Sequence, residues 1–396
     1  MRVVFAVLKI ETLIIFAVME QTIGATDFDL IRPFKDEEVP AAIERLLTEP
    51  SFAKALQYVF PDKDPGKVKQ VLEGIRSTKE FQEIIISEAV KNIVRASTHG
   101  LEVSGLEKLD PSTPWLFISN HRDIVLDSAF LNYLLFLKDF PTTRIAIGSN
   151  LLQRPWIEDL VKLNKNFIVH RDVHSRQAYD YSMRLSGYIR TSLLNDNSSV
   201  WIAQREGRTK NGADRTQAGL LKMFGLSGSH DLVESYAALN IVPVSISYEY
   251  EPNAGMKAWE LFRVLKDGTY QKKEGEDLES MKNGIFRNKG RVRFVFGDKL
   301  KREDLEAAMT GLSRNEAMKE LAALLDRHIL GNYVLSPFNY LADDLLSNSS
   351  KYFDKYSESD KAAFEKHYNE QLAPFKENDP ELKRIFLGIY ANPVGN

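Results

Sequence analysis

The chain of 396 residues contains no cysteine, which excludes disulfide bonds, zinc–cysteine clusters, iron–sulfur ligation and thiol catalysis. Its formal net charge is only −3. No global electrostatic field therefore points to nucleic acid as a partner, and any anion site must be local. The apolar share of 43% and the charged share of 27% are ordinary for a globular protein with a large core.

Long apolar runs are also scarce. Only residues 3–19 approach the length that a membrane-spanning helix needs. Lys9 and Glu11 interrupt this run, and a charge at the bilayer centre costs about 2.5–3.5 kcal/mol on insertion scales. The same charges break the apolar centre of a secretory signal. An interfacial anchor helix and an upstream extension that is not natively made are the favoured interpretations, ahead of a weak signal anchor.

The spacing of apolar residues divides the chain into four segments. Residues 1–26 are the apolar N-terminal segment, residues 27–100 a helical layer, residues 101–300 an α/β domain and residues 301–396 a helical C-terminal extension. Six apolar runs have the length of strands: WLFIS, RIAIG, NFIVH, SVWIAQ, IVPVSISY and RVRFVFG.

Helical patterns separate the first five of these runs. Strands that alternate with helices predict an α/β fold with a mostly parallel central sheet flanked by helices. We expect the charged, glycine-containing residues 251–290 to form a long loop or insertion. The alternating run at 291–297 is expected to be an edge strand.

The run NHRDIVLD, residues 120–127, follows the first expected strand. His121 would therefore lie at a strand-to-helix turn, where it can accept a proton if a carboxylate orients its ring. Asp123 and Asp127 are both near enough in sequence to do so. The plain alternative is a helix N-terminus in which Asp123 caps the first turn and His121 is a turn residue.

The run QREGRTKNG, residues 204–212, follows another expected strand and precedes a helical pattern. Arg208 and Lys210 can pair with phosphate oxygens, and glycines permit unusual backbone angles. Glu206 can accept a hydrogen bond from a substrate hydroxyl or brace an arginine. The run lacks the Lys-Ser/Thr pair of a P-loop, and a solvated basic loop is the commoner fate of such a sequence.

Arg171 ends the expected strand NFIVH and would face the same edge of the sheet as His121 if the two strands run parallel. A surface pair with Asp172 is the alternative. Residues 239–250 form a buried strand that carries Pro243, which strand centres normally exclude.

Four motifs in this order and spacing resemble those of the glycerolipid acyltransferase superfamily, which includes glycerol-3-phosphate and 1-acylglycerol-3-phosphate acyltransferases. The family's first motif is Asn-His, four residues, then Asp. Asn120 and His121 match it, but the acid stands one residue later, at Asp127. The second motif ends in an apolar pair, any residue and arginine. Residues 168–171 match it, although the leading glycine of the motif is Lys165 here.

The third family motif contains Glu-Gly, which Glu206 and Gly207 match, while Gln204 and Arg205 replace its Phe-Pro. The fourth, apolar-Pro-apolar, is matched by residues 242–244. The resemblance covers roughly residues 100 to 300.

The resemblance implies an O-acyltransferase that moves a fatty acyl group from acyl-CoA or acyl carrier protein to a hydroxyl of glycerol-3-phosphate or a lysophospholipid. His121 would be the general base, oriented by Asp127, with Asp123 in reserve. The residues implied in holding the acceptor's phosphate are Arg171, Glu206, Gly207, Arg208 and Lys210. Neither a metal nor a cofactor is required beyond the acyl donor. Because lysophospholipids lie in bilayers, we expect the protein to contact a membrane surface and not nucleic acid. The expected location is the cytoplasm, at the inner face of the cell membrane.

Two alternatives stay open. A metal-dependent phosphoesterase would hold a divalent cation with His121, Asp123, His170, Asp172 and His174, although their spacing matches no metal signature. A catalytically altered member of the same fold would bind lipid without turnover, because the shifted acid and the altered third motif depart from the family pattern.

Overall fold

The computed structural model describes residues 28–170 and 175–395. The expected N-terminal anchor, residues 1–26, and Arg171 lie outside these described residues. Within them, one sheet has the strand order β1-β7-β6-β2-β5-β3-β4. The strands are β1 (Gly100–Ser104), β2 (Leu116–Ser119), β3 (Arg144–Gly148), β4 (Asn166–Val169), β5 (Val200–Ala203), β6 (Ile241–Tyr248) and β7 (Arg291–Phe296).

Parallel pairing dominates this sheet, and only β6 and β7 pair in the antiparallel sense. Parallel strands need crossover connections, which are usually helical. One helix or more lies between each pair of successive strands from β2 to β7. The expected α/β class with a mostly parallel sheet flanked by helices is therefore confirmed.

Seventeen α-helices surround the sheet in the described part of the chain. Those before β2 are α1 (Val39–Leu47), α2 (Pro50–Val59), α3 (Pro65–Gly74), α4 (Thr78–Glu80) and α5 (Ser87–Ser97), with a π-helical segment, Phe81–Ile86, joining the last two. Those between β2 and β7 are α6 (Leu126–Leu137), α7 (Pro155–Leu163), α8 (Ser175–Leu194), α9 (Ala218–Phe224), α10 (Leu232–Ala237), α11 (Ala254–Asp267) and α12 (Glu276–Phe286). Those after β7 are α13 (Arg302–Met309), α14 (Arg314–Gly331), α15 (Pro337–Ser347), α16 (Glu358–Leu372) and α17 (Pro380–Ala391).

Both faces of the central strands are buried. In β2, Leu116 and Ile118 pack into a cluster on one face, with Leu221 and Leu321 from helices α9 and α14. Phe117 points to the opposite face and packs into a second cluster with α6. Side chains alternate across a strand, so a continuous apolar run is what a strand covered on both faces requires.

Two helical groups have their own clusters. The helices α1 to α3 pack around Leu46, Phe52 and Leu72. The helices α15 to α17 pack around Phe338 and Phe386, and α11 joins them. The C-terminal helices therefore reach back to a segment between β6 and β7.

Two expectations about this region are wrong. Residues 251–290 are not a long loop but contain α11 and α12. Ala254, Ala258 and Phe262 are buried at four-residue spacing. Because charged residues lie between them in the sequence, this narrow apolar stripe is hard to recognise. Strand β7 is not at the edge of the sheet, because it pairs with both β1 and β6. Its alternation reflects one buried and one partly exposed face, and the edge strand β1 was not expected.

Within residues 28–170 and 175–395, no helix has the length and apolar character needed to cross a bilayer.

Candidate active site

A cleft of about 750 Å³ opens beyond the carboxyl ends of β2, β3, β4 and β5. His121 lines it from the turn after β2, and Glu206, Gly207, Arg208 and Lys210 line it from the loop after β5. Strands β2 and β5 are parallel neighbours, so the residues that follow them emerge at the same edge of the sheet. The structure thus brings together five of the residues that the sequence singled out.

Asn120 fixes the turn that presents His121. Its fully buried amide donates to the carbonyl of Ile246 at 2.9 Å and accepts from the N–H of the same residue at 2.8 Å. The backbone N–H of Thr209 in turn donates to the carbonyl of His121 at 2.9 Å. The His121 turn is therefore bonded both to β6 and to the loop after β5.

His121 faces a carboxylate. Its Nδ1 lies 2.8 Å from Oδ2 of Asp127, which is the second residue of α6 and is fully buried. An ionised carboxylate only accepts hydrogen bonds, so Nδ1 carries the proton and Nε2 is the basic nitrogen. The imidazole side chain is 15% exposed, which leaves it open to the cleft. Asp127, and not Asp123, contacts the imidazole ring. The one additional residue between His121 and the acid, compared with the family motif, therefore does not prevent this contact.

Asp127 is itself held by three further donors. The backbone N–H groups of Arg122 and Asp123 donate to Oδ2 at 2.6 and 3.0 Å. The hydroxyl of Tyr248, at the end of β6, donates to Oδ1 at 2.9 Å. These three donors fix the position of the carboxylate beside the imidazole. No local pattern in the sequence points to Tyr248.

Asp123 has a different environment. Its Oδ1 accepts from the N–H groups of Val125 and Leu126 at 3.0 and 2.9 Å, in the manner of a helix cap. Its Oδ2 is buried without a hydrogen-bond partner among the described residues and lies against Gly284 of α12. Burial, followed by the nearby charge of Asp127, raises the pKa of Asp123 above its ordinary value. The carboxyl is 1% exposed and does not line the cleft.

A buried ion pair ties the two motif loops together, and sequence reasoning missed it. Arg122 donates through Nη2 to Oδ2 of Asp214 at 2.7 Å, and its side chain is only 4% exposed. Asp214 also accepts from the Asn120 amide at 3.3 Å and from the Thr209 hydroxyl. The guanidinium carbon of Arg122 lies 5.1 Å from the ring centroid of Tyr333, beyond α14. These partners are too far apart in sequence to form a recognisable motif.

The cations of the loop after β5 are held to different extents. Arg208 donates through Nη1 to the hydroxyl of Ser280 on α12, at 2.6 Å. Lys210 pairs with Glu260 of α11, and burial lowers the pKa of this lysine. Arg208 forms no carboxylate pair among the described residues, so it is the cation better able to receive an anionic ligand.

Backbone amides of the same loop bear on where an oxyanion could be held. The amide of Glu206 donates to Gln217 Oε1 and that of Thr209 donates to the His121 carbonyl. Gly207, between them, has the left-handed angle φ of 70°. Within the part of the chain that the structure describes, the amides of Gly207 and Arg208 are therefore the two in residues 206–209 that are not already bonded in this way.

Of the second and fourth motifs, only residues of the second line the cleft. Ile168, Val169 and His170 of the second motif line it, but Arg171 falls outside the described residues, so its position stays a prediction. The fourth motif is buried within β6, where Pro243 immediately precedes the residues that pair with β7. Pro243 is thus in an interior strand.

No three of the described histidine, aspartate and glutamate side chains come close enough together to hold a metal ion. Of the alternative ligand set, Asp172 and His174 lie outside the described residues.

Comparison with known proteins gives one family model and a similar solved structure. Residues 100–247 match the family model named Acyltransferase. Among solved structures, the chain is similar to the 1-acyl-sn-glycerophosphate (LPA) acyltransferase PlsC from Thermotoga maritima, with 14% sequence identity and a TM-score of 0.33 over 73% of this chain and 92% of that one. No curated protein sequence matches the chain.

Proposed function

Because residues 100–247 match the Acyltransferase family model, we propose that the chain transfers a fatty acyl group from acyl-CoA or acyl carrier protein to a hydroxyl of glycerol-3-phosphate or a lysophospholipid. The observation that carries this proposal is the contact between His121 and Asp127 at the mouth of a cleft lined by Arg208. It supplies a base and an anion site within one cavity.

His121 acts as the general base. Nε2 takes the proton of the acceptor hydroxyl while the oxygen attacks the carbonyl carbon of the donor thioester. The carbonyl oxygen becomes an oxyanion, which the amides of Gly207 and Arg208 stabilise. The tetrahedral intermediate collapses as the carbon–sulfur bond breaks, and the leaving thiolate takes the proton back from His121.

Asp127 holds the imidazole in the tautomer that leaves Nε2 unprotonated, and it stabilises the imidazolium that forms. Tyr248 acts through Asp127: its hydroxyl occupies Oδ1, so that Oδ2 stays directed at the ring. Asp123 caps α6 and has no part in proton transfer.

Arg208 binds the acceptor's phosphate, together with Arg171 and, more weakly, Lys210. A guanidinium offers a planar fork that matches two phosphate oxygens. Ser280 already orients Arg208, which lowers the entropy lost on binding. Glu206 accepts a hydrogen bond from a second acceptor hydroxyl, and Gly207 lets the backbone approach the ligand.

A lysophospholipid acceptor lies in a bilayer, so the enzyme works at a membrane surface, in the cytoplasm at the inner face of the cell membrane. Residues 3–19 provide the adhesive segment.

The decisive experiment is a radiolabelled acyl-transfer assay with acyl-CoA and acyl carrier protein donors against a panel of acceptors. Wild-type protein is expected to acylate a phosphate-bearing acceptor, and His121→Ala is expected to lose at least about a thousandfold in kcat. His230→Ala, at an exposed histidine, is the control and should be fully active. Substantial turnover by His121→Ala would refute the assignment. Inhibition by a chelator, with release of phosphate from a phosphoester, would favour the metal phosphoesterase instead.

A further inference from the structure

A second cavity, of about 400 Å³, lies at the opposite edge of the sheet from His121. Thr142 and Lys165 line it, shortly before the first residues of β3 and β4. His121 instead follows the last residue of β2. Because β2, β5, β3 and β4 are all parallel, these two positions face opposite ends of the strands. The second cavity and the cleft have no lining residue in common.

Lys165 stands in an unfavourable backbone conformation. Its φ of 57° lies in the left-handed region, which glycine adopts freely and other residues adopt at a cost. It follows the last turn of α7, where glycine is the usual residue. A non-glycine residue in this conformation lowers the stability of the fold, and such strained residues cluster at functional sites.

The ammonium of Lys165 is largely buried, and no carboxylate of the described residues forms an ion pair with it within 4 Å, although Glu83 and Asp36 act on it from farther away. It donates to the Thr142 hydroxyl at 3.0 Å, and that hydroxyl donates to Oε1 of Gln82. Burial lowers the pKa of Lys165 to about 8. An ammonium has three donors, so two remain for a ligand within the second cavity.

A π-helical segment forms one wall. Gln82, Glu83 and Ile86 of the segment Phe81–Ile86 line the second cavity. π-helical turns are rare and often occur at functional sites. The π-helical segment and the left-handed Lys165, whose ammonium forms no close ion pair with a described carboxylate, are two separate irregularities that meet in the same cavity.

The remaining walls decide the class of ligand. Much of the wall is apolar, formed by Val90, Tyr133, Phe136 and Phe140. The other charges at the lining are paired or solvent-exposed, since Lys79 pairs with Glu83 at 3.7 Å and Asp139 is exposed. A single free ammonium can compensate a monoanion, whereas a phosphate dianion would meet these carboxylates without enough positive charge.

We propose that the second cavity binds a medium-chain fatty acid, with the carboxylate accepting from the Lys165 ammonium and the chain lying along the apolar wall. This is a binding site separate from the cleft, and it does not depend on the function proposed above. The helix α6 contributes Ala129, Asn132, Tyr133 and Phe136 to it, and the same helix carries Asp127 in its first turn.

The test is isothermal titration of the full-length protein with decanoate below its critical micelle concentration. Decan-1-ol and decyl phosphate serve as comparison ligands. Wild-type protein is expected to bind decanoate at least about tenfold more tightly than either. Lys165→Gly is the informative variant, because glycine suits the left-handed backbone and its Tm should equal or slightly exceed that of the wild type. Failure to fold is therefore not expected to complicate the result.

Lys165→Gly should weaken decanoate binding at least about tenfold. Lys79→Met is the matched control at the same cavity and should change it less than twofold. Decanoate binding that survives in Lys165→Gly would place the ligand elsewhere, the cleft included, and overturn the proposal. Tighter binding of decyl phosphate than of decanoate, or no binding to wild-type protein, would overturn it as well.

Discussion

The hydroxyl of Tyr248 lies 2.9 Å from Oδ1 of Asp127, 121 residues away in sequence, while the other carboxylate oxygen faces His121. The tyrosine is therefore one end of a buried series of hydrogen bonds that ends at the proposed base. Burial raises the pKa of Tyr248 well above its ordinary value, so the hydroxyl remains a donor across the physiological range.

Tyr248→Phe should lower kcat by about 10- to 100-fold, since a hydrogen bond to a charged group contributes about 1.5–3 kcal/mol. The KM values of donor and acceptor should change less than twofold, because Tyr248 does not line the cleft. Tyr236→Phe removes an equally buried hydroxyl that bonds to Leu221 and Met318 in the core. Its kcat should be unchanged. Equal losses in the two variants would mean that Tyr248 acts only through packing.

The two acids of the first motif should differ greatly in their response to the same isosteric change. Asp127→Asn places an amide against Nδ1, which would favour the wrong tautomer of His121, and kcat should fall about a thousandfold or more. Asp123→Asn removes a charge but keeps an oxygen that can accept from Val125 and Leu126. It should retain most of the activity, and steady-state kinetics of the pair measures both effects.

Asp123→Asn should also change stability with a definite pH dependence. The folded state raises the pKa of Asp123 through burial, so the ionised form disfavours folding. This penalty is absent at low pH, grows as pH rises above the ordinary value of about 4, and is complete above the folded-state pKa. The variant should therefore gain stability over the wild type at pH 7 and lose that advantage near pH 3, as urea unfolding at the two pH values would show. An equal gain in the free energy of unfolding at pH 7 and pH 3 would contradict this account.

The sequence located His121 and the loop cations at the same edge of the sheet, because each follows a strand and a short motif marks it; their roles stay predictions. It left the acid open between Asp123 and Asp127, since only the three-dimensional turn decides which carboxylate meets the ring. Tyr248 and Asp214 carry no local signal, because their contacts with Asp127 and Arg122 span 121 and 92 residues. The helices α11 and α12 were missed because their buried stripes are narrow and charged residues such as Lys257, Glu260 and Lys282 interrupt the apolar pattern.

Arg208→Ala should raise the KM of a phosphate-bearing acceptor by about 10- to 100-fold and leave the donor KM nearly unchanged. Lys210→Met is the matched comparison. Its effect should be smaller, because Glu260 already pairs with Lys210. With an acceptor that lacks phosphate, Arg208→Ala should leave the acceptor KM unchanged. A shift in the donor KM instead would assign the arginine to the acyl donor.

Deletion of residues 1–26 should reduce partition onto anionic vesicles without loss of turnover on a short-chain, water-soluble acceptor. The sequence basis is the apolar run at 3–19, whose burial in the interface would provide adhesion. Sedimentation with vesicles measures the partition, and soluble-acceptor kinetics controls for damage to the fold. Unchanged partition would rule out these residues as the membrane contact.

The loop after β5 is held in place by the C-terminal extension, and two glycines of the loop test this. Gly212 has a φ of 80°, and a Cβ there would lie 2.3 Å from the carbonyl oxygen of Ile389 in α17. The side-chain amide of Asn392 donates to the carbonyl of Asn211 at 2.7 Å. Gly207 has a similar φ of 70°, but a Cβ there would meet no described atom within 4 Å beyond its own chain neighbours.

Gly207→Ala should therefore lower the free energy of unfolding by about 1–2 kcal/mol, the cost of a left-handed backbone alone. Gly212→Ala adds a clash between Cβ and a backbone oxygen, which α17 can relieve only by moving, so its cost should exceed about 3 kcal/mol. Urea unfolding of the two variants measures this difference. If α17 moved away at little cost, the two losses would be equal, and the C-terminal helices would have no role in fixing the loop that carries Arg208.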